Sequence, residues 1–530
     1  MANKKISELP VATTPLTGAE LVPVVQGGVT EQTTVQTMLR SAVVAGTGAN
    51  NTVLGSGTLS ANTTGCCNIA VGVQALLCNT TGFNNSAVGV GALQSNTTGC
   101  FNSAVGRDAL RCNTTGSNNS AMGVSALCAN TTGSVNSAVG VNALFTNTTG
   151  GDNSAMGGNA LRDNTTGCCN SAMGVNALLC NTTGIFNSAM GVDALRNNTT
   201  GCCNSAMGGN ALRDNTTGCN NSAMGLSALR NNTTGVNNSA MGVDALYANT
   251  TGSDNSAVGV SALLCNTTGC QNSAMGVNAL LCNTTGVNNS AVGLQALYAN
   301  TTGGSNSAVG VNALLCNTTG CCNSAMGFQA LCANTTGSCN VALGETAGDT
   351  ITTGSGNTMI GRGSDSGSAT AANRIAIGVN VVATADNRIT IGSGANIAEL
   401  DLDGSDTSWA ASSDVRLKEN IHPSTIGLAL INDLRPVNFQ WKRRCDINPS
   451  VPGHDDSTER VHGDPGATYL GFIAQEAQSA IEAHGAKTVR MVESRENGIL
   501  TAAPGALIPV LVRAVQELSA ELAQLKSKLN

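Results

Sequence analysis

The stretch Asn198-Thr-Thr-Gly-Cys-Cys-Asn-Ser-Ala-Met-Gly-Gly-Asn-Ala-Leu-Arg-Asp214 is one unit of a repeat that decides the fold. Its opening motif, Asn-Thr-Thr-Gly, occurs seventeen times between Asn62 and Asn334, always 17 residues apart. We number the positions of a unit as columns, with the first Asn as column 0. A second Asn fills column 6 and a Gly fills column 10 in every unit. Such a short fixed period is typical of a solenoid, in which each unit packs against its neighbours.

The unit predicts strands and turns and not helices, because Asn, Thr and Gly are poor helix formers. Columns 7 to 13 alternate as a strand does, whereas Asn-Thr-Thr-Gly favours a tight corner, since Asn and Gly tolerate a left-handed backbone. Degenerate units extend the array at Asn51–Gly55, Asn357–Gly361, Asn373–Gly378 and Asn387–Gly392. We therefore expect a mainly β chain, with a parallel β-roll or β-solenoid shaft over residues 45–400. About nineteen coils at ~4.8 Å spacing would make a shaft of roughly 90 Å.

The columns also suggest which side chains lie inside. Column 9 is Val or Met in every unit but the last, which has Leu343, and we expect it to fill the interior of the solenoid. Ala in column 8 and Gly in column 10 make a smooth face that permits close approach of another backbone. Our hypothesis places this face on neighbouring chains around a threefold axis. We also expect the stacked Asn columns to form amide ladders, and the variable columns 4, 5, 12, 15 and 16 to face solvent.

These units resemble the head repeats of trimeric autotransporter adhesins, and Asn-Thr-Thr-Gly arrays resemble those of phage fibres. The resemblance covers about residues 45 to 395 and implies a homotrimer of parallel β-rolls. Its motifs are Asn-Ser-Ala-Met-Gly in the array and Asn373-Arg-Ile-Ala-Ile-Gly378 after it. The period here departs from the 14-residue unit of the adhesins, so the cross-section of the roll is not carried over.

Composition narrows the possible partners. Aromatic residues make up 2% of the chain and charged residues 11%, and the net charge is −7, so we expect no nucleic-acid binding through a basic surface. Neither a secretory signal nor a long apolar span is evident in the sequence, and we predict no membrane insertion and no cofactor. With no signal for secretion, the Asn-Thr-Thr triplets favour corner turns over glycosylation.

Twenty of the 21 cysteines fall in columns 4, 5, 15 and 16, which flank the corner. We interpret them mainly as free thiols that pack as small groups. Disulfides between adjacent coils, as at Cys265 and Cys282, and a metal site are the alternatives; no Cys-x-x-Cys pair supports zinc.

Residues 1–44 differ in composition from the array. Short Val and Leu runs broken by Pro and Gly, as in Leu21-Val-Pro-Val-Val25, predict a small β-element or an extended arm. The stretch resembles the opening of many phage tail-fibre proteins, which implies a virion-attachment segment that binds tail or baseplate proteins. The alternative interpretation is a β-cap that closes the first coil.

Residues 401–530 gain charge and helical periodicity. Ile426–Leu434 is apolar at helical spacing, Pro436–Lys442 alternates as a half-buried strand, and Tyr469–Glu476 leads into a helix. The last helix has apolar residues at alternating spacings of four and three, which predicts a short coiled-coil seam. These residues are Leu511, Val515, Leu518, Leu522, Leu525 and Leu529.

The ordered motifs Ser413-Asp-Val-Arg-Leu-Lys-Glu-Asn-Ile421, Pro436-Val-Asn-Phe-Gln-Trp441 and Gly471-Phe-Ile-Ala-Gln-Glu476 closely resemble the intramolecular chaperone domain of phage tail fibres and endosialidase tailspikes. The resemblance implies an α+β domain that trimerises, templates folding of the fibre and then cuts itself off. It assigns Ser413 as nucleophile, Lys418 as general base and the Ser412–Ser413 bond as the cleavage site.

The residues themselves leave alternatives open at this site. A lysine that is neutral can activate a serine hydroxyl, but Ser413 and Lys418 are five residues apart and share no face of a helix or strand. Helix capping by Ser413 or Asp414 is the structural alternative, and His422 is an alternative base. Cys445, His454 and His462 are too widely spaced for a standard zinc pattern, so we interpret Arg443–Gly466 as a surface loop.

The sequence therefore favours a homotrimeric bacteriophage tail fibre, located in the virion, that contacts a polysaccharide or protein receptor on the host surface. Its enzymatic activity would be a single self-cleavage by a Ser-Lys dyad. A trimeric surface adhesin and a polysaccharide-degrading tailspike are the alternative functions. The tailspike would need paired carboxylates or an aromatic groove, and the array is poor in both kinds of residue.

Overall fold

The computed structural model describes residues 21–26, 29–34, 50–402, 410–411, 415, 419–451, 454–461, 466–494 and 499–529. The chain divides into two compact units, Met1–Ser412 and Ser413–Asn530. In the first unit, strands β1 (Leu21–Gln26) and β2 (Val29–Thr34) pair in antiparallel order as a hairpin. The small β-element predicted near the start of the chain is therefore present.

The array folds as a parallel β-solenoid of about twenty turns, which confirms the mainly β architecture. Each strand pairs in register with the strand one unit further along, as Ser205, Ala206 and Met207 pair with Ser222, Ala223 and Met224. The strands of this ladder are β3 (Thr52–Leu54), β4 (Ile69–Val71), β5 (Ser86–Val88), β6 (Ser103–Val105), β7 (Ser120–Met122), β8 (Ser137–Val139), β9 (Ser154–Met156), β10 (Ser171–Met173), β11 (Ser188–Met190), β12 (Ser205–Met207), β13 (Ser222–Met224), β14 (Ser239–Met241), β15 (Ser256–Val258), β16 (Ser273–Met275), β17 (Ser290–Val292), β18 (Ser307–Val309), β19 (Ser324–Met326), β20 (Val341–Leu343), β21 (Thr358–Ile360) and β22 (Ile375–Val379).

The ladder ends in longer strands after the seventeen-residue spacing stops. Strand β23 (Arg388–Ser393) pairs in parallel with β22, with Ile375 opposite Ile389. Strand β24 (Asn396–Asp401) then turns back antiparallel on β23, and β25 (Ala410–Ala411) pairs with β24.

Two asparagine ladders run through the interior, as the sequence predicts. In column 0, Nδ2 of Asn198 donates both to Oδ1 of Asn181 at 2.8 Å and to the Gly201 carbonyl at 3.0 Å. In column 6, Oδ1 of Asn187 accepts the backbone N–H of Asn204 at 3.1 Å. Asparagines in both columns are buried along the array. Buried amides of this kind must be hydrogen-bonded, and the fixed period supplies each one with a partner in an adjacent turn.

The apolar interior is narrow. Ala of column 8 and Ala of column 13 are buried in each unit, for example Ala206 and Ala211. Leu of column 14 is buried in every unit but the last, which has Gly348 there; Leu212 is an example. Leu212 has a φ of 51°, a left-handed backbone that costs about 1–2 kcal/mol. Burial of a leucine side chain contributes roughly 1.5–3 kcal/mol, which offsets that strain.

The predicted assignment of the two strand faces was wrong. Column 8 lies inside, whereas column 9 points outward: Ala206 is 2% exposed and Met207 is 46% exposed. The interior already holds the leucine and both asparagine ladders, so only the small alanine fits beside them.

The glycines of column 10 do permit close approach of a backbone, but it belongs to the next turn of the same chain. A Cβ on Gly208 would lie 2.4 Å from the carbonyl oxygen of Gly225, and the φ of Gly208 is +136°. An L side chain would be strained there even if space were available. The hypothesis that this glycine face packs on neighbouring chains is therefore wrong.

The described residues of the second unit form helices and two-stranded sheets. The helices are α1 (Leu428–Asp433), α2 (Ala474–Ala483) and α3 (Ile508–Leu529), with 3₁₀ turns at Arg444–Asp446 and Pro504–Leu507. The strands β26 (Pro436–Phe439) and β27 (Tyr469–Phe472) pair antiparallel, as do β28 (Val492–Ser494) and β29 (Leu500–Ala502). In the part of the chain described here, no helix is both long and apolar enough to span a bilayer.

Candidate functional site

The predicted cleavage residues Ser412, Ser413 and Lys418 lie outside the described residues, so their predicted roles are untested. His422, the alternative base, is exposed. Two described neighbours, Val415 and Ile421, are 67% and 62% exposed. The division between the two compact units nevertheless falls between Ser412 and Ser413, which is the bond that the sequence resemblance marks for cleavage.

Two of the ordered motifs in the second unit pair with each other. Strand β26 carries Phe439 opposite Tyr469 of β27, and Pro436 opposite Phe472. A Cβ on Gly471 would lie 3.1 Å from the ring of Phe439, so a glycine there lets the aromatic ring lie across the sheet. Phe439 also makes an edge-to-face contact with Trp441, with ring centroids 5.4 Å apart.

An ion pair joins the start of β26 to the start of α2. Nε of Arg435 donates to Oε2 of Glu476 at 2.9 Å. This hydrogen bond lowers the pKa of Glu476 and raises the pKa of Arg435. A carboxylate in the first turn of a helix also lies favourably in the helix dipole. At the other end of α2, Nε2 of His484 lies 2.6 Å from Oδ2 of Asp433, which ends α1.

Helix α3 is tied to the start of α1 through Glu517. Its Oε2 accepts the backbone N–H of Leu428 at 2.8 Å, and its Oε1 accepts Nε of Arg513 at 2.8 Å. The bond from the Leu428 amide is the main cause that lowers the pKa of Glu517, and Arg513 adds to it. A Cβ on Gly427 would lie 2.6 Å from Glu517 Oε2, so a glycine there allows the carboxylate to reach α1.

A compact apolar core lies beneath these polar contacts. It draws residues from α1, α2 and α3 and from the segments next to the β28–β29 sheet, with Ile426, Ile431, Phe472, Val489 and Val492 packed around it. Its buried members are Leu430, Leu434, Ala477, Ala480, Ile481, Ala486, Met491, Leu507 and Val510.

Helix α3 presents a second apolar side that its own unit leaves uncovered. Val510 and Ala514 are buried, but the side chains of the predicted seam are exposed. They are Leu511, Val515, Leu518, Leu522, Leu525 and Leu529, with exposed fractions from 44% to 79%. We call these six residues the helix seam. Its exposure leaves it available to other helices.

The shaft also has an uncovered apolar side, which we call the shaft stripe: the residues of columns 9 and 11, mostly Val and Met. Met190, Val192, Met224 and Leu226 are examples, and each is 45% to 55% exposed. This surface was not predicted from the sequence, because column 9 was expected inside. The signal was present in the sequence, since column 9 is always apolar and column 11 usually is, while column 8 is invariably the smaller alanine.

The segment around Cys445 forms a loop with a closed base. The backbone N–H groups of Arg444 and Cys445 donate to the carbonyls of Glu459 and Ser457, and Val461 donates to Lys442. His462 lies outside the described residues. Within the described ranges, no cluster of three or more His, Cys, Asp or Glu side chains is arranged to hold a metal ion.

Comparison with known proteins identifies one segment. Residues 413–486 match the sequence model of a family described as the chaperone of endosialidase. No curated protein and no solved structure matches the chain. The matched segment contains the paired strands β26 and β27 and the helices α1 and α2. Residues 413–486 thus carry a chaperone-of-endosialidase segment, and its place after a β-solenoid shaft fits a phage tail fibre or tailspike with an intramolecular chaperone.

Proposed function

We propose that this chain is a bacteriophage tail fibre, a structural protein of the virion that takes part in host attachment. The observation that carries the proposal is the match of residues 413–486 to the chaperone of endosialidase, which begins at the first residue of the second compact unit. A long shaft of near-identical turns needs such an assembly aid to align its chains.

The proposed fibre is a parallel homotrimer. A continuous exposed apolar surface on a soluble protein marks an interaction site, and the shaft stripe extends along the whole array. We assign this surface to the same stripe of further copies, because another copy of the chain repeats apolar side chains at the same period. The parallel orientation follows the resemblance to trimeric β-roll adhesins. The helix seam on α3 provides a second such surface, with the spacing of a coiled coil. The number three follows the resemblance to trimeric fibres.

The second unit would keep neighbouring chains of the shaft in register. The shaft consists of near-identical turns, so two chains displaced by one unit would still place apolar side chains opposite each other. Pairing that is weakly specified is prone to slip. Residues 413–530 lie outside the repeat, so their helix seam can hold the chains in a single register. We therefore assign them the role of template for trimer folding.

The proposed self-cleavage follows assembly. The Ser413 hydroxyl attacks the carbonyl carbon of Ser412, Lys418 takes the hydroxyl proton and gives a proton to the leaving amine, and water then hydrolyses the ester. Each chain is cut once. Release of the template removes the guide to register, so unfolding of the shaft becomes practically irreversible.

We also propose where the fibre is made and what it contacts. Residues 1–44 would attach the fibre to tail or baseplate proteins, and the fibre would be made in the host cytoplasm before it joins the virion. The variable columns 4, 5, 12, 15 and 16 offer the sequence diversity that contact with a host-surface polysaccharide or protein requires.

Light scattering on purified protein tests the central claim. We expect the full-length chain to form a particle of three chains, and a chain truncated after Ser412 to aggregate or to stay unassembled. A full-length chain that is a stable monomer would overturn the trimer. A normal yield of trimer from the truncated chain would overturn the template role and leave the trimer standing.

A further inference from the structure

We infer that Cys202 and Cys219 form a redox-responsive modification site, a thiol pair that closes to a disulfide between adjacent turns of the shaft. Their sulfur atoms lie 3.0 Å apart, and both residues are half-buried thiols. A disulfide needs the two sulfurs to approach to about 2 Å, with Cα atoms about 4.4–6.8 Å apart. Adjacent strands of a parallel ladder are about 4.8 Å apart, which lies within that range.

The backbone holds the two residues in place on both sides. The N–H of Cys202 donates to Sγ of Cys219 at 3.2 Å, and the N–H of Asn220 donates to the Cys202 carbonyl at 3.1 Å. Cys219 Sγ in turn donates to the Thr217 carbonyl at 3.5 Å. Closing the bond therefore requires a small side-chain movement and no rearrangement of the turn.

The position of the pair in the repeat makes it selective. Both cysteines occupy column 4, in which Ile185 precedes them and Val236 follows them. Cys203 lies in the next column, between Phe186 and Asn220, and so has no cysteine above or below it in its own column. Column 4 at these two turns thus offers one cysteine pair between adjacent turns, while Cys203 contacts Cys202 within the same turn.

The chemistry needs a two-electron oxidant, and a low-molecular-weight disulfide such as glutathione disulfide supplies it. A thiolate of the pair attacks one sulfur of that disulfide, which releases one glutathione thiol and leaves a mixed disulfide. The second cysteine then attacks the protein sulfur of the mixed disulfide and releases the second glutathione thiol. The two cysteine protons end on the two glutathione molecules, and the cysteines are oxidised as the glutathione disulfide is reduced.

The surroundings of Cys202 predict how the rate of this exchange changes with pH. The hydrogen bond with Cys219, with burial as the second cause, raises the pKa of Cys202 to about 11. Because exchange proceeds through a thiolate, Cys202 contributes little thiolate at neutral pH. We therefore expect closure to become faster as the pH rises toward that value.

The consequence for the shaft is mechanical. Each turn of a solenoid contacts only its neighbours, so opening can begin at any turn and spread. A bond between Cys202 and Cys219 closes one whole unit as a loop. It would therefore act as a covalent staple near the middle of the array, formed when the assembled fibre leaves a reducing compartment.

Peptide mapping tests the inference on the full-length protein. Arg196, Arg213 and Arg230 let trypsin separate residues 197–213, which hold Cys202 and Cys203, from residues 214–230, which hold Cys219. After treatment of the folded protein with glutathione disulfide, alkylation and denaturation, we expect these two peptides to be joined in unreduced digests. The Cys203→Ser variant should retain the joined pair, and the Cys202→Ser and Cys219→Ser variants should lose it.

A second measurement separates the bond from any effect of the substitutions on folding. Oxidation should raise the unfolding temperature of the wild-type protein and of Cys203→Ser, and should leave that of Cys202→Ser unchanged. Circular dichroism establishes beforehand that each variant is folded. If the wild-type peptides are not joined, or if they stay joined in Cys202→Ser, the assignment of this pair is wrong.

Discussion

Nδ2 of Asn198 donates a hydrogen bond to Oδ1 of Asn181 in the preceding turn, 2.8 Å away, and Oδ1 of Asn198 accepts the same bond from Asn215. Both contacts are fully buried. The neighbouring Asn197 is only half-buried and donates to Asp214 at 2.8 Å at the edge of the turn. Two adjacent asparagines thus have different surroundings, which makes them a matched pair for mutation.

We expect Asn198→Ala to destabilise the shaft by about 1–3 kcal/mol for each buried polar atom that it leaves without a partner. The atom concerned is Oδ1 of Asn181, since the Gly201 carbonyl keeps the hydrogen bond from Nδ2 of Asn187. Asn197→Ala should have a much smaller effect, because water can replace its contact. Chemical denaturation followed by circular dichroism measures both. Equal losses for the two variants would contradict the buried ladder.

The adjacent glycines Gly157 and Gly158 form a second matched pair. A Cβ on Gly157 would lie 2.4 Å from the Gly174 carbonyl oxygen at a φ of +139°, whereas a Cβ on Gly158 meets nothing within 4 Å. We expect Gly157→Val to disrupt folding of the array. Gly158→Val should be tolerated, since valine is the usual residue of column 11. Soluble yield and thermal unfolding report the difference, and similar tolerance at both sites would refute the stacking of column 10.

The two ends of strand β12 test the proposed trimer interface. Ser205 and Met207 are both exposed, on either side of the buried Ala206. We expect Met207→Glu to reduce trimer formation, because three carboxylates would meet in a desolvated interface. Ser205→Glu should leave the trimer intact. Light scattering distinguishes these outcomes, and a normal trimer in Met207→Glu would remove the shaft stripe from the interface.

Mass spectrometry tests the proposed cleavage. Wild-type protein that has assembled should yield a C-terminal fragment that begins at Ser413. We expect Ser413→Ala and Lys418→Ala each to leave the 530-residue chain whole and still trimeric, since each removes one member of the dyad. If His422 were the base, His422→Ala would block cleavage and Lys418→Ala would not. An intact wild-type chain after assembly would mean that the second unit is retained as a cap.

The contact of Glu517 with the Leu428 amide predicts that the stability of the region around α1 depends on pH. The pKa of Glu517 is lowered in the folded chain. Its carboxylate therefore stabilises the fold fully at a pH above the unfolded pKa near 4.5. This stabilisation is lost as the pH falls through the lower pKa of the folded chain. Hydrogen exchange of residues 426–434 should be faster in Glu517→Ala than in wild type at neutral pH. That difference should shrink in acid. Glu521→Ala, on the same helix, is the control, and an equal effect there would point to a general loss of helix.

Much of the second unit was predictable because its signals are local. The helical spacing of Ile426–Leu434 corresponds to α1, and the alternation after Pro436 corresponds to β26. By contrast, nothing local indicates that Glu517 reaches Leu428 or that Gly427 makes room for it, since these residues are far apart in the chain. The roles of Ser413 and Lys418 remain a prediction from the resemblance.

By itself, the sequence determined the period, the parallel register and the asparagine ladders of the shaft, since a seventeen-residue repeat places like residues above one another. Only the closed turn decided which strand face lies inside. Alternation divides the residues of a strand between two faces but does not show which face is buried, and here Ala206 and Met207 are both apolar. Once Leu212 and the two asparagines occupy the interior, the remaining space fits alanine, and methionine is left outside. The same closure gives Gly208 its backbone contact and brings the sulfurs of Cys202 and Cys219 together.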